Sequence, residues 1–282
     1  MRPLTVAVAL VAVLLVGMVA LLWWRQERMV FFPPGPATAP PRAVRVEYVA
    51  DDGVRLHGYL VRPAGTAAES LPPVDAPVML HFHGNADLAV WQLPWAEEVA
   101  RRTGAWVLAA EYRGYDGIAG PATYDGVQRD AGAAARWLRD SLDVAPGRLI
   151  LSGHSLGAAV AAQLGAELHA AGSAPAALLL HAPFTTARAM ASRVIGVFAV
   201  VYPLIGRLHW DTEAAVRGVA APVHVVHGAD DSVIPAAMGR AVHAAARIPG
   251  QLLVVPGADH ADLLQGARYW ALVEAVASGA AM

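Results

Sequence analysis

Uncharged, mostly apolar positions run without a break from Pro3 to Trp24, and then the chain changes character. As a helix, such a run of roughly 22 residues extends about 33 Å, the thickness of a bilayer's hydrocarbon core. Trp23 and Trp24 close it where an interfacial aromatic belt sits, and Arg25 and Arg28 follow. A cleaved signal peptide has a shorter apolar region, about 7–15 residues, ending on a small-residue cleavage site. Val19-Ala20-Leu21-Leu22-Trp23-Trp24 offers no Ala-x-Ala pattern. The run therefore predicts a single-pass N-terminal membrane anchor over residues 1–28, against two rivals, a signal peptide and a buried globular helix. Arg2 on one side, against Arg25, Arg28 and Arg42 on the other, tilts the body slightly toward the cytoplasm. Large domains cross regardless of such charges, so the side stays open.

Prolines and Phe31-Phe32 then mark residues 29–43 as a stiff linker. Beyond it the pattern alternates. Val44–Val49 and Val54–Val61 read as paired strands around the Asp51-Asp52-Gly53 turn. Short apolar runs at Val78–Phe82, Trp106–Tyr112, Arg148–Ser152, Ala177–His181, Val223–His227 and Gln251–Val255 read as buried strands. Helical patterns at Leu93–Arg102, Tyr124–Leu142 and from Leu156 onward separate them. An antiparallel opening followed by strand–helix alternation predicts one α/β body over residues 44–282. Its central sheet is mostly parallel, with helices on both faces. Residues 183–221 occupy the place of a single crossover and read as a short helical cap.

Composition narrows the function classes. Hydrophobic residues make up 56% and charged ones 16% of the 282, and the net charge is −2, with every basic residue an arginine. That balance gives no footprint for a nucleic-acid partner. The absence of cysteine excludes disulfides, thiolate metal sites and a cysteine nucleophile. The 11 histidines are scattered and no His-Glu-x-x-His occurs, so neither a metal nor a cofactor is expected.

Gly153-His154-Ser155-Leu156-Gly157 lies between an apolar strand and an Ala-rich helix. That setting marks a nucleophile elbow, in which Gly153 and Gly157 leave room for a sharp turn that lifts the Ser155 hydroxyl above the sheet. A serine needs a base, and in this architecture an acid and then a histidine follow, each after a strand. His260 follows the last strand as the candidate general base. Asp231 is the candidate orienting carboxylate, with its neighbour Asp230 as rival; Asp259 is too near His260 in the chain for that role. Two N–H donors are expected for a developing oxyanion. One is the amide of Leu156; the other is that of Asn85, in the loop His83-Gly84-Asn85-Ala86.

These residues resemble the α/β-hydrolase superfamily. The chain is more narrowly similar to membrane-anchored serine hydrolases of the Bem46-like and serine-aminopeptidase-like group. Phe31-Phe32-Pro33, His83-Gly84-Asn85-Ala86, Tyr112-Arg113-Gly114-Tyr115, Pro183-Phe184-Thr185-Thr186, Tyr202-Pro203 and Trp210-Asp211 carry the similarity besides the elbow. The family's spacing from Gly228 to Pro235 aligns its carboxylate with Asp231 rather than Asp230. The resemblance implies an α/β-hydrolase fold and hydrolysis of an acyl ester or thioester, from a lipid or an acylated protein, through an acyl-enzyme on Ser155. Peptide cleavage does not follow from the group's label. An acyltransferase on the same triad and a non-catalytic membrane-tethered binding protein are the alternatives. Two positions depart from the family pattern. Asp116-Gly117-Ile118 replaces the usual Gly-x-Ser, and Asp259 stands before His260, where it is a candidate to raise the imidazole pKa. Tyr112 and Arg113 read as structural. The cap stretch Ile195–Ile205 reads equally as an acyl-pocket wall, a lipid-facing segment or core packing. A body starting near Met29 is expected to be more soluble and to keep the triad.

Overall fold

The computed structural model describes residues 3–40, 44–67, 70–194, 196 and 198–279. Arg2 and Arg42 of the orientation argument, and Ile195 and Val197 of the cap, lie outside them. Among the described residues, eight strands form one sheet in the order β1-β2-β4-β3-β5-β6-β7-β8. β1 (Val44–Val49) and β2 (Arg55–Val61) form the antiparallel edge, and β2 is also antiparallel to β4 (Trp106–Ala110). From β4 through β3 (Val78–Phe82), β5 (Leu149–His154), β6 (Ala177–His181), β7 (Pro222–Gly228) and β8 (Ile248–Val255), every pairing is parallel.

All five residues of β3 are buried, as a strand covered on both faces requires. The period of two sorts its side chains: Val78, Leu80 and Phe82 join one apolar cluster and Met79 the other. The first cluster lies under α3 (Tyr124–Leu142), α4 (Leu156–Ala170), α7 (Thr212–Gly218) and α8 (Ala236–Ala245). The second lies under α2 (Leu93–Thr103) and α9 (Ala267–Ala277). Helix limits follow local chemistry. Thr123 caps α3 by accepting the Gly126 N–H, and left-handed Gly104 ends α2. β4 stops at Ala110, two residues short of the expected end, because Glu111 and Tyr112 turn toward the β3 loop. Residues 183–221 carry α5 (Ala187–Val194), α6 (Phe198–Ile205) and α7.

α1 runs from Pro3 to Val30, past the belt and into the expected linker. Through Leu14, itself at 72% exposure, the helix stands clear of the body. Its last turns dock. Gln26 Nε2 donates to the Ile205 carbonyl at 2.6 Å, and Gln26 Oε1 accepts the Arg207 N–H at 2.7 Å. Phe31 is buried in the main core, edge-on to Trp210. Further along the linker, Ala37 N–H donates to Asp116 Oδ1 at 2.9 Å. Asp116 Oδ2 meets His57 Nε2 at 2.9 Å and the Tyr59 hydroxyl at 3.0 Å. Burial raises the Asp116 pKa, but the donors from Ala37, His57 and Tyr59 outweigh it and hold the carboxyl below its ordinary range. The unusual Asp116 is therefore a clasp between linker and sheet edge.

Candidate active site

At the end of β5 the chain reverses into α4 within one residue. Ser155 adopts φ 54° and ψ −114°, a conformation L-residues hold only under constraint. Its N–H donates to the His181 carbonyl at 2.9 Å. The flanking glycines are required by contact. A Cβ on Gly153 would lie 2.1 Å from the Gly157 carbonyl oxygen, and one on Gly157 would lie 2.0 Å from that of Phe82. Leu156 opens α4, so its N–H has no carbonyl within the helix to bond.

The loops after β7 and β8 bring the expected acid and base together: Asp231 Oδ2 lies 2.8 Å from His260 Nδ1. The other oxygen, Oδ1, accepts the N–H groups of Val233 at 2.9 Å and Ile234 at 2.7 Å. His227 donates Nε2–H to the Ile234 carbonyl at 2.8 Å and also lies 3.3 Å from Asp231 Oδ2. Asp230 is exposed. Asp259 bonds the Ser232 N–H, the Ser232 hydroxyl and the main-chain N–H of His260. It clamps the two loops, and the donors from Ser232 and His260 hold it below the ordinary carboxylate range. The expectation that Asp259 acts on the imidazole meets this geometry: its hydrogen bond goes to the histidine backbone. His154 packs its ring 4.8 Å from that of His260, and its Nε2 lies 3.0 Å from the His260 carbonyl. Burial lowers the His154 pKa to about 4, so the neutral ring donates there. Among the described residues the Ser155 hydroxyl takes no hydrogen bond, and the link from Oγ to His260 is open in this conformation. Such links commonly tighten only with substrate bound.

The loop after β3 lies against the elbow. A Cβ on Gly84 would meet His154 Nδ1 at 3.0 Å and Ser155 Cβ at 3.6 Å. The loop is held from below by a buried pair, His83 Nε2 and Glu111 Oε1 at 2.5 Å, while His83 Nδ1 bonds the Gly84 carbonyl at 2.7 Å. Burial opposes protonation of His83, but Glu111 outweighs it and raises the pKa. Glu111 also accepts N–H groups from Ala89 and Tyr112. The Tyr112 hydroxyl donates to the His83 carbonyl at 3.1 Å. Arg113 pairs with Asp130 at 2.7 Å and Asp52 at 2.6 Å, away from the serine. Tyr112 thus holds the loop, while Arg113 ties the β1–β2 turn to α3. The Asn85 side chain faces the N-terminal segment: its Oδ1 accepts from Phe32 N–H at 3.0 Å and the Tyr115 hydroxyl at 2.8 Å, and its Nδ2 donates to the Val30 carbonyl.

Ser155 and Leu156 line a cavity of about 380 Å³ whose walls are almost wholly apolar. Phe184, Met190, Tyr202, Ile205 and Trp210 of the 183–221 segment line it together with Val233 and Ile234. Leu204 of the same stretch is 86% exposed, so the cap sequence divides between pocket and surface. Gln26, Met29 and Val30 of α1, with Phe32, complete the wall. Sequence reasoning missed these four. Gln26 and Glu27, the first polar pair after the belt beside the arginines, were the available signal.

Three comparisons bear on the chain. A family profile described as the α/β hydrolase fold matches residues 79–199. An uncharacterized protein of Mycobacterium tuberculosis, Rv2307c, is 34% identical over 272 residues, covering 92% of this chain and 89% of its own. The lysophosphatidylserine lipase ABHD12 of Danio rerio is 30% identical over 185 residues, 59% of this chain and 46% of its own. Among solved structures, a bacterial heroin esterase superposes with a TM-score of 0.67 at 21% identity. It covers 85% of this chain and 84% of its own, a likeness of fold.

Proposed function

The chain belongs to the α/β-hydrolase superfamily, a family of hydrolytic enzymes, and we propose that it cleaves acyl esters or thioesters of lipid type through Ser155, His260 and Asp231. The observation that carries this reading is the strained Ser155 on the wall of an apolar cavity, with the Asp231–His260 pair at 2.8 Å on the neighbouring loops. Ser155 Oγ attacks the acyl carbonyl as His260 Nε2 takes its proton. Asp231 keeps the other proton on Nδ1 and stabilises the imidazolium. The N–H groups of Leu156 and Asn85 receive the oxyanion. The imidazolium returns its proton to the departing alcohol or thiol, and water, activated by the same base, releases the acid.

The apolar cavity favours an acyl chain over a polar substrate, and the lipase named among the relatives is consistent with a lipid ester. The length and apolarity of α1 support its role as an anchor that tethers the site to a bilayer. A fluorophosphonate probe tests the reading directly. It should label the detergent-solubilised wild type and not Ser155→Ala, and hydrolysis of a short p-nitrophenyl ester should vanish with the label. Undiminished turnover by a folded Ser155→Ala variant would reject the mechanism.

A further inference from the structure

We propose that α1 is part of the acyl-binding site as well as a tether, and that the acyl chain of a bilayer lipid ester reaches Ser155 sideways along it. This rests on the esterase reading above. Two hollows meet on this helix. The first is the Ser155 cavity, walled by Gln26, Met29 and Val30. The second is an apolar groove formed by Leu15, Val16, Val19, Ala20 and Trp23 of α1 with Ile205 of the cap. Ile205 lines both, so the groove leads from the middle of the helix to the mouth of the cavity.

The depth of the groove matches a lipid. From Leu15 to Trp23 the helix rises about 12 Å, close to the roughly 15 Å of hydrocarbon in one leaflet. Every residue along the groove is apolar. Where it ends, the chemistry changes as it does at a membrane surface. Arg207 stacks over Trp23 at 4.9 Å and pairs with Glu27 at 3.3 Å, while Arg25 and Arg28 lie against Trp24. Such a collar of tryptophan and arginine belongs at headgroup level, which is where the ester carbonyl of a lipid sits. A chain lying in the groove therefore has its scissile bond beside the cavity mouth, and the hydrocarbon need not cross water. The Gln26 bonds to Ile205 and Arg207 fix the two walls of the mouth to each other.

The test uses full-length protein in phosphatidylcholine vesicles, with p-nitrophenyl palmitate in the bilayer and p-nitrophenyl butyrate in the water. Val16→Trp and Ala20→Trp fill the groove from α1, and Ile205→Trp fills it from the cap. Rates are taken per fluorophosphonate-reactive serine, so unfolded protein does not count. Each variant should lower the ratio of palmitoyl to butyryl turnover about tenfold or more, the effect of losing a few methylene contacts. Leu14→Trp, 72% exposed on the opposite face of α1, should keep the wild-type ratio. An unchanged ratio in the groove variants, or an equal fall in Leu14→Trp, would overturn the proposal. Failure of the esterase reading shows differently, as butyrate turnover that survives Ser155→Ala.

Discussion

Asn85 Oδ1 accepts the backbone N–H of Phe32 at 3.0 Å, across 53 residues of sequence. The same side chain donates to the Val30 carbonyl. The residue proposed to offer its main-chain N–H to the oxyanion thus holds, with its side chain, the exit of the N-terminal helix. The Tyr115 hydroxyl adds a third bond to it. The exit of α1 and the shape of the loop after β3 are therefore coupled through one side chain. Asn85→Ala keeps the main-chain donor and removes the side-chain bonds. It should slow ester hydrolysis by at least about tenfold, short of the roughly hundredfold or greater loss of an oxyanion donor outright. Wild-type kcat and fluorophosphonate labelling rate in this variant would show that the loop holds its shape without its bonds to the end of α1.

The three neighbouring carboxylates should separate in a kinetic comparison. Asp231→Asn loses the acceptor for His260 Nδ1, which costs about 10⁴ in kcat in the best-studied triad. Asp259→Asn leaves the ring contact and loosens the loop clamp with Ser232, so its cost should be far smaller and should appear partly in thermal stability. Asp230→Asn should be close to wild type. A larger kcat loss in Asp230→Asn or Asp259→Asn than in Asp231→Asn would refute the assignment.

Gln26→Leu preserves most of the side-chain volume and removes both bonds to the cap. It leaves the Arg207 N–H and the Ile205 carbonyl without their partner, at a cost of about 1–3 kcal/mol for each polar group that stays buried. A lower melting temperature and a slower turnover of long acyl esters are expected in detergent. A chain starting at Met29 lacks Gln26 and Glu27 altogether and should be affected in the same direction. Thermal scans of both against full-length protein check this; identical transitions would show that α1 contributes nothing to the body.

Stability should fall as the pH drops below neutrality. Burial, the leading cause, depresses the pKa of His154 and His224 to about 4 and that of His181 to about 3, and it also lowers His81 and His227. In the unfolded chain these rings titrate near the ordinary histidine value of about 6.5. The unfolded state therefore binds more protons below that pH. The stabilisation is complete above about pH 6.5 and is lost as the pH falls from there toward the folded values, by about 1.4 kcal/mol per pH unit for each extra proton. Denaturant titrations at pH 7.5 and pH 5 measure it. Equal midpoints would mean that these histidines are solvated in the folded protein.

Most of the fold is legible in the sequence, because its determinants are local. Parallel strands buried on both faces need unbroken apolar runs, and Val78–Phe82 and Ala177–His181 are such runs at their observed limits. The elbow was legible for the same reason: the approach of Gly157 to the Phe82 carbonyl leaves room for hydrogen alone, so the requirement is written in the residue type. The order of Ser155, Asp231 and His260 along the chain follows from loops placed after β5, β7 and β8.

Tertiary structure decided what depends on groups far apart in the chain. Asp259 and Asp116 are carboxylates at unusual positions, and no periodicity reveals that one clamps a loop backbone and the other the linker. The N-terminal helix is the clearest case. Its length and apolarity are local properties and mark a candidate span. Its role as a wall of the Ser155 cavity comes from bonds that reach 179 residues to Ile205 and 55 to Asn85. Single polar side chains such as Gln26 and Asn85 carry no pattern, and the partner each satisfies exists only once the sheet, the cap and the helix end have come together.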